Sequence, residues 1–194
     1  MNKKLILILL GVVALLAIFC VSSYNSLVEK DEVVKYKWSD VETQYQRRSD
    51  LIPNLVETVK GYAAHERETL SEVIEARSKA TAITIDPSNI TPEQLAEYQK
   101  AQSGVTSALG KLLAVAERYP DLKANQNFLE LQAQLEGTEN RIAEARRVFN
   151  AAVKEFNSSV RKFPTNIFAS MFGFDKYEYF EADEGSEKAP KVEF

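Results

Sequence analysis

Between Trp38 and Ala80 the apolar and aromatic residues recur in alternating steps of three and four, and no other feature constrains the fold as tightly. Trp38, Val41, Tyr45, Arg48, Ile52, Leu55, Val59, Tyr62, Glu66, Thr69, Val73, Ala76 and Ala80 share one heptad register, with polar residues at Arg48, Glu66 and Thr69. The pattern predicts a single amphipathic helix of 43 residues, about 65 Å long at the helical rise, whose apolar stripe requires partner helices. Pro53 is the objection, because an interior proline loses a hydrogen bond and crowds the preceding turn. The register nevertheless keeps its phase across Pro53, which favours a kinked continuous helix over a fresh start capped by Asp50.

Continued backwards, the register passes through Val34, Asp31, Leu27 and Tyr24, with no glycine or proline between Gly11 and Pro53. It meets Leu5–Val21, an uncharged apolar run of 17 residues that covers about 25 Å, near the lower limit for crossing a bilayer core. Three readings of this run compete: an uncleaved signal anchor, a removed signal peptide, and a lipoprotein signal ending at Cys20. Phe19 is too bulky for lipoprotein processing before Cys20, whereas cleavage after Ser23 is sterically acceptable. Continuity with the following helix favours the anchor, with Leu5, Leu10, Leu16 and Val21 meeting lipid. Lys3 and Lys4 precede the run, and Glu29, Lys30, Asp31 and Glu32 follow it. That asymmetry predicts a cytoplasmic N-terminus and a bundle on the outer or periplasmic side of a cell membrane crossed once.

Beyond Ala80 the pattern stops, and Asp86, Pro87, Ser88 and Asn89 supply turn chemistry. Thr91 caps a second predicted helix, Pro92 to Arg118, with proline at its first position and Leu95, Tyr98, Ala101, Val105, Ala108, Leu112, Val115 and Tyr119 on its buried face. A third long helix is predicted from Asp121. Phe128, Leu135, Ile142, Phe149, Phe156 and Phe163 recur every seventh position there, with smaller residues between them. Gly137 reads as a close-approach site inside that helix. Pro164 ends it, and Thr165 to Phe174 predicts a short apolar turn or two. The second helix reaches only about 40 Å against about 65 Å for its neighbours. This mismatch leaves apolar seam without a partner and argues for a homo-oligomer.

From Gly173 onward, seven carboxylates face three lysines, which accounts for the whole formal net charge of −4. The bundle itself is balanced, so no basic face favours nucleic acid. The acidic end, with Gly185, Ser186 and Pro190, predicts a disordered tail. Cys20 is the single cysteine, which rules out an intramolecular disulfide and a cysteine-rich zinc site.

Several blocks carry a family resemblance. QYQRRSDLIPNLVETVKGYAAHE at 44–66, YNSLV at 24–28, AERYPDLKANQNFLELQ at 116–132, EGTENRIAEARRVFNAAVKEFN at 136–157 and FPTNIFASMFGF at 163–174 resemble the LemA family of membrane-anchored helical bacterial proteins. The resemblance covers almost the whole chain. It implies a fold and a location rather than a mechanism, since no catalytic reaction is established for that family.

The residues themselves yield no reaction either. His65 is the only histidine, and HERET at 65–69 has Thr69 where the zinc helix motif needs its second ligand. Tyr62 stands where a di-metal bundle would carry a glutamate three before the histidine. No nucleophile elbow or glycine-rich phosphate loop occurs. The expectation is therefore no enzyme, no cofactor and no metal site. Two polar clusters, Arg47, Arg48 and Asp50 with the preceding glutamines, and Glu139, Asn140 and Arg141, read as the layer that aligns the first and third helices or as a recognition surface. Glu66 and Glu139 are candidates for interhelical pairing with arginine. Phe163, Phe168, Phe174 and the YEYFEADE stretch either dock onto a partner or pack on their own bundle.

The resulting expectation is an all-α chain in which an N-terminal transmembrane helix, residues 1–23, continues into an antiparallel bundle, residues 24–174. Three long helices and a short C-terminal helical segment build the bundle, and residues 175–194 form the tail. The implied role is a membrane scaffold that self-associates, with the lipid bilayer and possible envelope proteins as partners. The alternatives are an accessory subunit of a membrane enzyme or protease, and a metal-dependent bundle enzyme.

Overall fold

The computed structural model of the chain describes residues 3–182, and it is all-α. Helix α1, Lys3–Tyr62, is one continuous helix of 60 residues that runs through Pro53. Ile52 and Leu55 on either side of the proline are both buried, so the helical phase is kept as the heptad requires.

The helix expected to reach Ala80 instead ends at Tyr62. Residues 63–66 form a turn, with the Ala63 amide donating to Val59 O at 2.8 Å and the Glu66 amide to Ala63 O at 3.0 Å. Helix α2, Arg67–Ala82, then begins in a new direction. Burial explains the break: Tyr62 is exposed, Ala63 is buried in its stead, and reversal brings Leu70, Val73 and Ala80 into one core with Leu55 and Val59. Apolar burial outweighs the few hydrogen bonds lost at the turn.

Helix α3, Pro92–Ala116, starts at the predicted cap. The Thr91 hydroxyl accepts from the Gln94 amide and the Gln94 side chain accepts from the Thr91 amide, each at 3.2 Å, which is a capping box. The third long helix starts later than Asp121. A short helix α4, Pro120–Lys123, turns Leu122 into the core, and α5, Gln126–Arg161, follows. The Asn125 carboxamide oxygen accepts from the Phe128 amide at 3.0 Å and marks the new start. On α5, Phe128, Leu135, Ile142, Phe149 and Phe156 are buried as their spacing requires, but Phe163 lies beyond the helix and is 81% exposed. Gly137 is not a close-approach site: a Cβ built there meets nothing within 4 Å. Helix α6, Thr165–Phe172, is closed by Gly173 at φ 74°, where glycine is the residue without steric penalty, and the Phe174 amide donates to Ala169 O at 2.9 Å.

Two compact units result. One contains α1 up to Trp38, α5 from Val148, α6 and the chain to Tyr177. Leu27, Val34, Trp38, Phe149, Val153 and Phe156 are buried in it, and the rings of Trp38 and Phe149 meet edge-on at 5.6 Å. The other contains α1 from Ser39, then α2, α3, α4, α5 up to Arg147, and the chain from Glu178. Its four long segments alternate in direction: Arg77 of α2 faces Ser49 of α1, Lys111 of α3 faces Glu72 of α2, and Glu139 of α5 faces Arg48 of α1. The break at 63–66 thus makes a fourth helix out of what was expected to be the end of the first. Within this unit Leu70, Val73 and Ala80 of α2 cover the apolar stretch of α1 from Ile52 to Val59.

Residues 175–182 carry no helix or strand. Within the first unit the Asn157 side chain brackets the Tyr177 backbone, donating to its carbonyl at 2.8 Å and accepting from its amide at 3.0 Å. The Tyr177 hydroxyl donates to Asp31 at 2.8 Å. Within the second unit Phe180 is buried beneath the Arg146 guanidinium, 5.1 Å from its ring. Of the two readings of YEYFEADE, packing on the chain's own helices therefore holds for Tyr177 and Phe180, whose aromatic area outweighs the neighbouring acids. The rest of the expected tail, 183–194, lies outside the described residues.

Candidate functional site

Polar residues placed on an apolar stripe must find partners, and Arg48 is the extreme case, with 2% of its surface exposed. Its guanidinium donates through Nη2 to Gln102 O at 3.1 Å and Gln102 Oε1 at 2.6 Å. Through Nη1 it reaches Thr106 Oγ1 at 2.9 Å and Glu139 Oε1 at 2.8 Å. One arginine thereby joins α1, α3 and α5 of the second unit. Tyr45 lies 5.1 Å from the guanidinium and meets Tyr98 edge-on at 5.5 Å. Burial, followed by the proximity of Tyr45 and Glu42, pushes the Tyr98 hydroxyl well above the ordinary phenol range, against the opposing effects of Gln102 and Arg48.

A small cavity of about 130 Å³ opens beside this layer, between Arg48, Ser49, Arg77, Tyr98 and Gln102. Arg77 explains how α1 tolerates Pro53. A helix residue at position 53 would normally donate its amide to the carbonyl of Ser49, and proline has no such amide. The Arg77 Nε donates to that carbonyl at 2.9 Å, so α2 satisfies the acceptor that Pro53 leaves open.

Of the predicted cluster residues, Arg48 and Glu139 are brought together. Arg47, Asp50, Asn140 and Arg141 are exposed, and Asp50 accepts from Gln46 at 2.7 Å one turn away. Glu66 pairs with Arg118 at 3.0 Å and accepts from the Tyr119 hydroxyl at 3.0 Å, at the turn between α1 and α2. That hydrogen bond holds the Tyr119 hydroxyl above its usual range. His65 is exposed in the same turn. Phe168 lies 5.7 Å from Phe19, and Phe174 lies 5.9 Å from Tyr24 and 6.3 Å from Phe156. Gln102, Thr106, Arg77 and Asn157 were missed by sequence reasoning. Gln102 had a legible signal, since it stands between Tyr98 and Val105 on an otherwise apolar face. Arg77 had none before the reversal of α2 was known.

The sequence model of the LemA family matches residues 37–194, which includes Arg48, Gln102, Thr106 and Glu139 of the arginine layer. The chain belongs to the LemA family. It is 30% identical over 197 residues to magnetosome protein MamQ 2 of Paramagnetospirillum magneticum, covering 93% of this chain and 72% of that one. Magnetosome protein MamQ of Magnetospirillum gryphiswaldense is 30% identical over 174 residues, covering 81% and 64%. Protein LemA of Metamycoplasma hominis is 28% identical over 160 residues, covering 82% and 69%. None of these names denotes an enzymatic activity. In this LemA-family chain the blocks 44–66 and 136–157 contain Arg48 and Glu139, so those blocks meet in one buried polar layer.

At the N-terminus, α1 carries a segment apolar and long enough to cross a membrane, and none of it is buried. Leu5, Leu10, Leu16 and Val21 are each between 58% and 61% exposed.

Proposed function

We propose that this LemA-family protein is a single-pass membrane scaffold of the bacterial cell envelope, without intrinsic catalysis, whose N-terminus is cytoplasmic and whose helical units stand on the outer or periplasmic side. The observation that carries the reading is α1 itself. One helix presents an exposed apolar run at Leu5–Val21 and then supplies the buried residues Leu27, Val34, Trp38, Val41, Ile52 and Leu55. An anchor that continues as helix into the folded chain suits a protein that holds a position in the envelope. The charges flanking the run favour the stated orientation.

Self-association remains part of the proposal, on a different footing from helix length. In the first unit only α1 and α5 supply long helices, and Val33 and Tyr36 on α1 are 45% and 62% exposed. These residues are the face on which a second copy would pack. The test is the mass of the full-length protein in mild detergent, measured by light scattering with bound detergent subtracted. A discrete oligomer that dissociates on Tyr36→Glu supports the scaffold. A monomer at every concentration overturns self-association and favours an accessory subunit of a membrane enzyme or protease.

A further inference from the structure

The segment Phe163–Phe174 contains no charged residue, although Arg161 and Lys162 precede it and Asp175 and Lys176 follow. Helix α6 is built from it, and its inner side is occupied. Ala169 is fully buried, the Phe168 ring lies 5.7 Å from Phe19, and the Phe172 ring lies 5.0 Å from Tyr24. Its outer side is different. Ile167 and Met171, four residues apart on α6, are 55% and 62% exposed, and Phe163, just ahead of the helix, is 81% exposed. Asn166 and Ser170 are the polar residues along its flank.

The position of the stripe says what covers it. Phe19 belongs to the apolar run Leu5–Val21, so a helix whose ring touches Phe19 lies level with the last turns of that run. The left-handed turn at Gly173 then sends the chain back, so that Phe174 rests on Phe156 and Tyr177 is held by Asn157. Chain leaves the bundle for one short excursion beside the anchor and returns. An exposed apolar stripe flanked by Arg161, Lys162 and Lys176, whose long side chains reach headgroups, suits a segment at a membrane interface.

We propose that α6 is a second membrane element: it lies flat in the leaflet where the apolar run ends, with Ile167 and Met171 among the acyl chains. The occupant is lipid because Phe168 of the same helix packs on Phe19 of the apolar run, which puts the exposed stripe at the level where that run meets lipid. A run of 17 residues is short for a bilayer core, and local thinning or an added interfacial wedge accommodates such a mismatch. The inference rests on the anchor reading above.

The test uses the full-length protein in phospholipid vesicles, with Cys20→Ser and single spin labels introduced through Leu10→Cys, Ile167→Cys, Met171→Cys or Ser78→Cys, all at exposed positions. Circular dichroism of each labelled protein verifies that helicity is unchanged, and collision rates with oxygen and with a water-soluble nickel chelate report depth. The expected result is that labels at 167 and 171 favour oxygen, as at 10, while the label at 78 favours nickel. Nickel access at 167 and 171 with oxygen preference at 10 overturns the interfacial helix and leaves the anchor standing. Exclusion of both reagents at 167 and 171 overturns it in favour of a protein cover. Nickel access at position 10 overturns the anchor and the inference with it.

Discussion

At the scale of single residues, the chemistry concentrates where a polar group had to be buried. Arg48 is enclosed while its carboxylate partner Glu139 keeps 37% of its side chain exposed, so the two ends of the pair are not equivalent. Neutralising Glu139 leaves the guanidinium its bonds to Gln102 and Thr106, whereas removing the arginine releases a carboxylate that water can reach but orphans the buried carbonyl and carboxamide oxygens of Gln102. Arg48→Met should therefore cost about 3 kcal/mol in denaturant unfolding, against about 1 kcal/mol for Glu139→Gln. The double variant should match Arg48→Met alone within about 0.5 kcal/mol, and a larger cost for Glu139→Gln than for Arg48→Met would refute the asymmetry. Tyr98 yields a second expectation. Its hydroxyl is raised above the unfolded value of 10.0, so the folded chain holds the proton more tightly. That contribution is complete below about pH 10 and declines as pH rises towards the folded value, by at most about 1.4 kcal/mol per pH unit. Unfolding measured from about pH 9 to pH 11 should show a shallower loss for Tyr98→Phe than for the parent chain. Parallel curves would show that Tyr98 does not ionise on unfolding.

Among elements, the junction of α1 and α2 is the instructive one. Pro53 opens an acceptor at Ser49, and Arg77 closes it from the neighbouring helix. The two residues should be energetically coupled. Arg77→Met should cost about 1–2 kcal/mol in the parent chain, where it orphans a buried carbonyl. With Pro53→Ala in place the new backbone amide supplies the bond, and the same substitution should cost little. A double-mutant cycle measures the coupling, expected at about 1 kcal/mol. Additive effects would mean that water serves the Ser49 carbonyl equally well. The cap of α3 and the termination of α6 follow from local chemistry at Thr91, Gln94 and Gly173. The ends of α1 and α5 do not, because Tyr62–Glu66 and Ala124–Asn125 carry no strong stop signal beyond Asn125 itself.

For the whole molecule, the proposed topology makes a prediction independent of oligomer state. With Cys20→Ser, a single cysteine introduced by Ser78→Cys sits on an exposed position of α2. In intact cells whose outer barrier has been removed, a membrane-impermeant maleimide should label it fully. Labelling that appears only after lysis would reverse the orientation drawn from Lys3, Lys4 and the acidic residues after the run.

How much of this was legible beforehand depends on the range of the interactions involved. Periodicity alone determined that the chain is helical, most of the apolar residues that α1, α3 and α5 bury, that Pro53 keeps the phase, and that an apolar run precedes the folded part. These are consequences of side chains three and four residues apart sharing a face, a local property of the chain. Tertiary structure alone decided that the heptad stops at Tyr62. Residues 67–82 satisfy the same pattern whether they extend α1 or fold back along it, and only the choice of partner surface separates the two outcomes. The same holds for the arginine layer: Arg48 and Glu139 were visible as polar residues in helical registers, but packing alone made Gln102 and Thr106 the partners of Arg48 and Arg77 the partner of the Ser49 carbonyl. It holds again for Tyr177 and Phe180, where composition pointed to an acidic tail and burial was decided by the helix surfaces they meet. Hydrophobic burial has no preferred direction along the chain, so a pattern can state that a face must be covered without stating what covers it.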